Sequence, residues 1–270
     1  MTLTNKIDFA VIFYVEKANP NGDPLNGNRP RITYEGTGEV SDVCIKRKLR
    51  NRLLDMGQEI FVQSDDYKTD DCKSLKERAA KVFNDEAIKN KTKGLCDKWF
   101  DVRAFGQVFA YKGEKKGKGL SIPVRGPVSV HPAFSLEPVD VVSTQITKSV
   151  SGEGDGTKKA SDTMGMKHRV EKGVYYFFGS MNPQLATKTG FTDEDANVIK
   201  EALPKLFEND ESSARPAGSM EVLKVVWWQH NSPHGQASSA KVHKSVQISP
   251  EGNVKVEKIA GLEPEIIDGF

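Results

Sequence analysis

The densest group of residues able to do chemistry lies near the N-terminus, in Asn19-Pro20-Asn21-Gly22-Asp23-Pro24-Leu25-Asn26-Gly27-Asn28-Arg29-Pro30-Arg31. Prolines stiffen such a segment, and glycines let its backbone come close to a ligand. Asparagine side chains and free backbone amides suit phosphate and sugar oxygens, and Arg29 and Arg31 add positive charge. The chemistry on offer is polyanion binding. The same composition also makes an ordinary turn after a strand, and the segment alone does not separate the two readings. Its one carboxylate, Asp23, has no second acid or histidine beside it. General-base or metal-assisted cleavage needs such company.

The segment after it carries Lys46, Arg47, Lys48, Arg50 and Arg52. The first four fall off the apolar stripe of a helix, so with the loop they can line a groove for a polyanion; a solvated helix face is the commoner outcome for such a cluster. A second basic cluster comprises Lys112, Lys115, Lys116 and Lys118, while acid collects at 193–195, at 208–211 and towards the C-terminus. Gly152-Glu153-Gly154-Asp155-Gly156-Thr157-Lys158 and Gly113-Glu114-Lys115-Lys116-Gly117-Lys118 lack the spacing of a phosphate-binding loop and its strand-to-helix context, which excludes a nucleotide triphosphatase of that class. His230 and His234 stand four apart, but Pro233 and Gly235 make their segment a loop, so helical zinc spacing does not apply. No metal or cofactor site is expected. Tyr175, Tyr176, Phe177 and Phe178 alternate between two faces of a strand, so half of them face a core and the others could stack on bases.

The elements that must position these residues follow from periodicity. Residues 7–16 alternate with period two and predict a half-buried strand. Ser41 predicts an N-cap, Ile45, Leu49, Leu53 and Met56 one helical stripe, and Gly57 its stop. Residues 73–93 predict a second, charged helix with Leu75, Ala79, Val82 and Phe83 inward. Strands are expected at 99–111, 122–134, 174–178 and 222–229. A helix is expected near 193–207, opened by a Thr192/Asp195 capping box and ended by Pro204, and a hairpin at 245–258, turning at 250–253. Residues 135–165 change character, with Gly152, Gly154 and Gly156 among Ser, Thr and charge, and predict a long, partly mobile excursion. The order of elements fits an α+β protein on the split βαβ, ferredoxin-like plan shared by RNA-recognition modules.

The 270 residues suit one large domain with insertions or two small ones. Charged residues make up 28%, and no apolar run approaches membrane-spanning length. The N-terminus lacks the layout of a secretory signal, and three scattered cysteines, Cys44, Cys72 and Cys96, predict reduced thiols in a cytoplasmic protein. A net charge of +2 says little by itself about nucleic acid.

Several blocks, in order along the chain, carry a resemblance. They are the loop at 19–31, Ser41-Asp42-Val43-Cys44-Ile45-Lys46-Arg47-Lys48-Leu49-Arg50-Asn51, Cys96-Asp97-Lys98-Trp99-Phe100-Asp101-Val102-Arg103-Ala104-Phe105-Gly106, Arg125-Gly126-Pro127-Val128, Met164-Gly165-Met166-Lys167-His168-Arg169-Val170 and His230-Asn231-Ser232-Pro233-His234-Gly235. Together they resemble the family of crRNA-binding backbone subunits of subtype I-C CRISPR Cascade complexes, within the RAMP superfamily. The resemblance implies a single domain over 1–270, with a modified ferredoxin-like, RNA-recognition-motif core as palm, helical finger insertions at 58–97, a basic loop at 112–120 and a thumb at 135–165. It implies a non-catalytic subunit without cofactor or metal that oligomerises along crRNA, grips its phosphate backbone whatever the sequence, and leaves spacer segments free to pair with target DNA. The implied partners are crRNA, target DNA through it, further copies of the chain, the handle-binding, large and small Cascade subunits, and a recruited helicase-nuclease; no membrane is implied. The RNA-binding candidates are then Asn19, Asn21, Asn28, Arg29, Arg31, Lys46, Arg47, Arg50, Gln107, Arg125, Lys167, His168 and Arg169. Members often carry an acid where Leu25 stands and a base where Met166 stands. Related subunits cut target RNA with an acidic loop residue, so the alternative reading is a metal-dependent endoribonuclease using Asp23.

Overall fold

The structure, a computed structural model, describes residues 1–111, 120–148 and 164–270. The N-terminal part runs β1 (Ile7–Ala18), β2 (Gly22–Asp23), β3 (Arg29–Pro30), β4 (Thr37–Val40) and α1 (Asp42–Asp55). Three short helices follow, α2 (Leu75–Phe83), α3 (Lys91–Lys98) and α4 (Phe100–Phe105). Next come β5 (Gly106–Tyr111), β6 (Leu120–Arg125), β7 (Val128–Val130), β8 (Ala133–Pro138), β9 (Val141–Thr147) and the long β10 (Met164–Met181). The rest is α5 (Pro183–Thr189), α6 (Asp193–Ala202), β11 (Met220–Gln229), α7 (Ser239–Lys244), β12 (Val246–Ile248), β13 (Val254–Val256) and β14 (Glu265–Asp268).

The fold is mixed α+β around one large antiparallel sheet, in the order β14-β11-β1-β10-β8-β4, with β7 and β9 also pairing with β10. β1 lies at the centre, and its alternation serves two cores instead of one. Phe9, Val11, Phe13 and Val15 pack on one face with α1 and α6, through Ile45, Leu49, Ala196 and Ile199. Ala10 and Ile12 pack on the other, under a C-terminal layer that supplies Val242, Ile259 and Leu262. A third apolar cluster, around Phe61, Val82, Leu95, Trp99 and Phe109, holds α2, α3 and the ribbon of β5 and β6 together.

Several elements depart from the sequence expectation for identifiable reasons. β1 is covered on both faces because the C-terminal layer closes over it, which periodicity within a strand cannot reveal. The helix expected at 73–93 is two helices, since Asn84 ends α2 and Asn90 accepts the Lys93 N–H at 3.0 Å to start α3. The first part of the expected strand at 99–111 is α4, ended by Gly106 at φ 80° before β5 begins. The stretch 122–134 is broken into parts of three strands at Gly126-Pro127 and His131-Pro132. α6 stops at Ala202 in a 3₁₀ turn containing Pro204, and the Thr192/Asp195 capping box closes with bonds of 3.1 and 3.0 Å. Within 135–165 the described flanks are extended, because β9 pairs with the start of β10 from Thr147↔Met164 to Val141↔Val170. Residues 149–163 of that excursion, and 112–119 of the expected basic loop, lie outside the described residues.

Candidate nucleic-acid interface

The loop at 19–31 leaves the end of β1 and folds back as a small ribbon, with Gly22 opposite Pro30 and Asp23 opposite Arg29. Gly27 and Asn28, at φ 58° and 59°, close the turn in the left-handed region that glycine and asparagine tolerate. The asparagines do much of the construction. Asn19 is 3% exposed, and its amide donates to the Asn28 carbonyl at 2.7 Å. The Asn21 side-chain oxygen accepts from the Ser41 N–H and hydroxyl, both at 2.9 Å, which docks the loop on the N-cap of α1. Asp23 accepts the Leu25 N–H at 3.2 Å and faces Arg31 at 3.5 Å. Arg29 has no ion-pair partner among the described residues, and Leu25 is 98% exposed at the tip.

The loop meets the base of the hairpin formed by β9 and β10. Asn19, Gly27, Asn28, Ile146, Met166, Lys167 and His168 line one groove, closed on its far side by Ser213 and Ala214. His168 is fixed by a 2.8 Å hydrogen bond between Nδ1 and the Ser143 hydroxyl. Lys167 has no ion-pair partner among the described residues, whereas Arg169 faces Glu171 at 3.6 Å. Asn19 Oδ1 is buried without a hydrogen-bond partner among the described residues.

The basic helix is largely internal. Arg50 Nε donates to Asp101 at 2.8 Å, and Asp101, itself buried, also accepts the Phe61 and Val62 N–H groups at 2.7 and 3.1 Å. Lys48 is fully buried against Asp210, which Arg47 at 3.2 Å and Arg215 at 2.9 Å also reach. Burial alone would raise the Asp210 carboxyl; the Lys48 charge and hydrogen bond, then Arg215 and Arg47, outweigh it and hold it below its ordinary value. Lys46 pairs with Asp42 at 3.0 Å. Of the four cations off the stripe, Lys48 and Arg50 are therefore held inside by Asp210 and Asp101, while Lys46 and Arg47 stay partly exposed and pair with Asp42 and Asp210. Gln107 and exposed Arg125 sit on the separate ribbon of β5 and β6, with Arg125 opposite Gly106, and do not line the groove of the loop.

The aromatic strand also behaves differently from an open RNA-stacking sheet. Tyr175 and Phe177 are in the main core, as alternation requires. Tyr176 and Phe178 face the C-terminal layer, and Phe178 stacks on His243 at 4.5 Å. Ser143, Ile146, Ser213 and Ala214 escaped sequence reasoning because only strand pairing and chain reversal bring them to the groove. Among the described residues no group of three or more His, Cys, Asp or Glu is placed to hold a metal ion, and no helix is long and apolar enough to cross a membrane.

The family model described as CRISPR-associated protein Cas7 matches residues 5–265. A CRISPR-associated protein Cas7 from Haloferax volcanii is 25% identical over 241 residues, 83% of this chain and 71% of the relative. Among solved structures, a chain of a "CRISPR RNA-guided surveillance complex, pre-nicking" superposes with a TM-score of 0.50 at 15% identity, over 83% of this chain and 78% of its own, a likeness of fold. A chain of a "CRISPR RNA-guided surveillance complex" gives 0.45 at 16% identity, over 83% and 68%.

Proposed function

The chain belongs to the Cas7 family of CRISPR-associated proteins, and from that premise we propose that it is a non-catalytic backbone subunit of a type I-C Cascade complex, binding crRNA through its phosphate backbone. The observation that carries the proposal is the groove where the loop at 19–31 meets β9 and β10. It joins two separate blocks of the sequence resemblance, and it offers Asn28, Lys167 and His168 with Arg29 beside them. Lys167 and Arg29 are cations with no ion-pair partner among the described residues, the kind a phosphate neutralises. Phosphate contacts by Lys167 and Arg29 would carry no sequence information, which suits a subunit that must accept any spacer.

In this reading the strand order β11-β1-β10 continuing to β7 and β8, with α1 and α6 on one face, is a modified ferredoxin-like core. The helices between 58 and 97 are the fingers and the excursion at 135–165 the thumb. Arg31, Asn21 and Asp23 shape the loop; Arg125 and Gln107 would meet the guide elsewhere, from their own ribbon. The partners are crRNA, further copies, the other Cascade subunits and the helicase-nuclease, with target DNA met through the guide, in the cytoplasm.

The endoribonuclease alternative gains little from Asp23, which is occupied by the Leu25 N–H and Arg31. Labelled single-stranded RNAs of unrelated sequence, titrated with protein with and without magnesium, test both readings. Binding of similar strength to every sequence, with the RNA intact, is expected. Regular cuts in magnesium that vanish in Asp23→Asn would make the endoribonuclease reading the right one.

A further inference from the structure

The C-terminal layer behind the sheet is electrically polarised along its length. His243 fixes one end: its Nε2 lies 3.6 Å from Asp8 and 3.3 Å from the Gly179 carbonyl, so α7 sits over the Asp8 end of β1. The turn between β12 and β13 fixes the other, since Gly252 packs against Leu223 and Val174, beside Tyr14. From Asp8 to Tyr14 along β1 is about 20 Å at the strand rise of ~3.3 Å per residue.

The Tyr14 end is an acidic groove. Its floor is apolar, with Tyr14, Val174 and Leu223, and Glu137, Asp140, Glu221 and Glu251 stand on its rim with no ion-pair partner among the described residues. Glu171, which pairs with Arg169, adds a further carboxylate, and Lys172 is the one lining cation. Burial, then the charges of Glu16 and Glu221, push the Tyr14 hydroxyl above its ordinary value, as a negative field should. The Asp8 end carries the opposite sign. Lys241, Lys244 and Lys258 line a second groove and have no ion-pair partner among the described residues; its one acid, Glu257, is engaged by Gln247 at 2.7 Å.

We propose that this layer is a head-to-tail interface between copies of the chain, the lysine end of one copy seated on the acidic groove of the next. The two surfaces differ, so the contact is heterologous and grows open-ended, as a backbone along an RNA must. The acidic groove repels nucleic acid and has an apolar floor able to take the aliphatic stems of lysines. The inference rests on the reading of this chain as a subunit that assembles along RNA.

Two charge reversals test it: Glu221→Lys with Glu251→Lys, and Lys241→Glu with Lys244→Glu. Each is assayed on an RNA long enough for one copy and on an RNA long enough for several. Each variant should bind the short RNA like the unmodified protein, yet need about tenfold or more protein to fill the long one, because like charges now face each other. An equimolar mixture of the two should fill the long RNA again, since alternating copies restore complementary charge at the interface. Either variant filling the long RNA normally, or a mixture that fails to restore it, would overturn the interface and assign the layer to some other occupant. Unmodified protein that ignores both RNAs would overturn the functional reading first, and this inference with it.

Discussion

Arg29 and Arg50 share a side chain and not a role. Arg29 lies on a ribbon at the groove with no ion-pair partner among the described residues, whereas Arg50 is held by Asp101, which in turn accepts two backbone N–H groups of the segment after α1. The two must therefore fail differently. Arg29→Ala combined with Lys167→Ala should flatten the salt dependence of RNA binding by about 0.7 in slope for each phosphate that is no longer neutralised. Arg50→Ala should leave the slope alone and lower stability by about 2–3 kcal/mol, the range for removing one partner of a buried charged hydrogen bond. Fluorescence anisotropy over a salt series and urea denaturation read the two effects separately; a slope that falls with Arg50→Ala would put that arginine at the interface after all. The sequence singled the loop out by its density of Pro, Gly, Asn and Arg, without separating a binding segment from an ordinary turn. It could not show which cations keep their charge for a ligand, because Asp101 and Asp210 are distant in the chain and found their partners only through the fold.

At the scale of elements, local signals held where a cap or a period sets the outcome. Ser41 caps α1 and accepts the Cys44 N–H, Thr192 and Asp195 close their box, and the hairpin of β12 and β13 turns at Gly252 with φ 83°. They failed where tertiary contacts decide: α4 was written in aromatic and branched residues that read as strand, and its helix is fixed by Phe100 and Ala104 packing into one core and Val102 into another. The C-terminal layer is a further case, pinned by a polar cluster beneath it. Buried Asp8 meets Lys6 at 3.0 Å and His230 Nε2 at 2.9 Å, and since His230 Nδ1 accepts the Gln236 N–H, Nε2 carries the proton and donates to Asp8. Burial would raise the Asp8 carboxyl, but His243, Ser239, His230 and Lys6 together hold it well below the usual carboxylate range. A depressed folded value means stability that is fully present above the unfolded pKa of about 4 and is lost as pH falls through the folded one. The urea midpoint should therefore drop steeply below about pH 4, and Asp8→Asn, weaker at pH 7, should drop less over the same interval. Parallel pH profiles for the two proteins would remove Asp8 from the acid response.

For the whole molecule, the mixed α+β class was readable from the order of strand and helix signals. The eight-stranded extent of the sheet was not, because β4, β9 and β14 are short or edge strands with little periodicity of their own. The covered rear face matters most for function. RNA-recognition modules stack bases on an open sheet, but here Tyr176 and Phe178 lie under the C-terminal layer, so under the proposed function the guide would meet the loop at 19–31 and the hairpin of β9 and β10 instead. Under the proposed function, a groove repeated in many copies, each gripping backbone whatever the bases, would make a ruler of arbitrary sequence. The most direct test of that claim is native mass spectrometry of the purified protein on single-stranded RNAs of increasing length and unrelated sequence. The account predicts copy numbers that rise in steps at a constant number of nucleotides per copy, the same for every sequence. One copy per RNA at every length, or steps that depend on sequence, would contradict it.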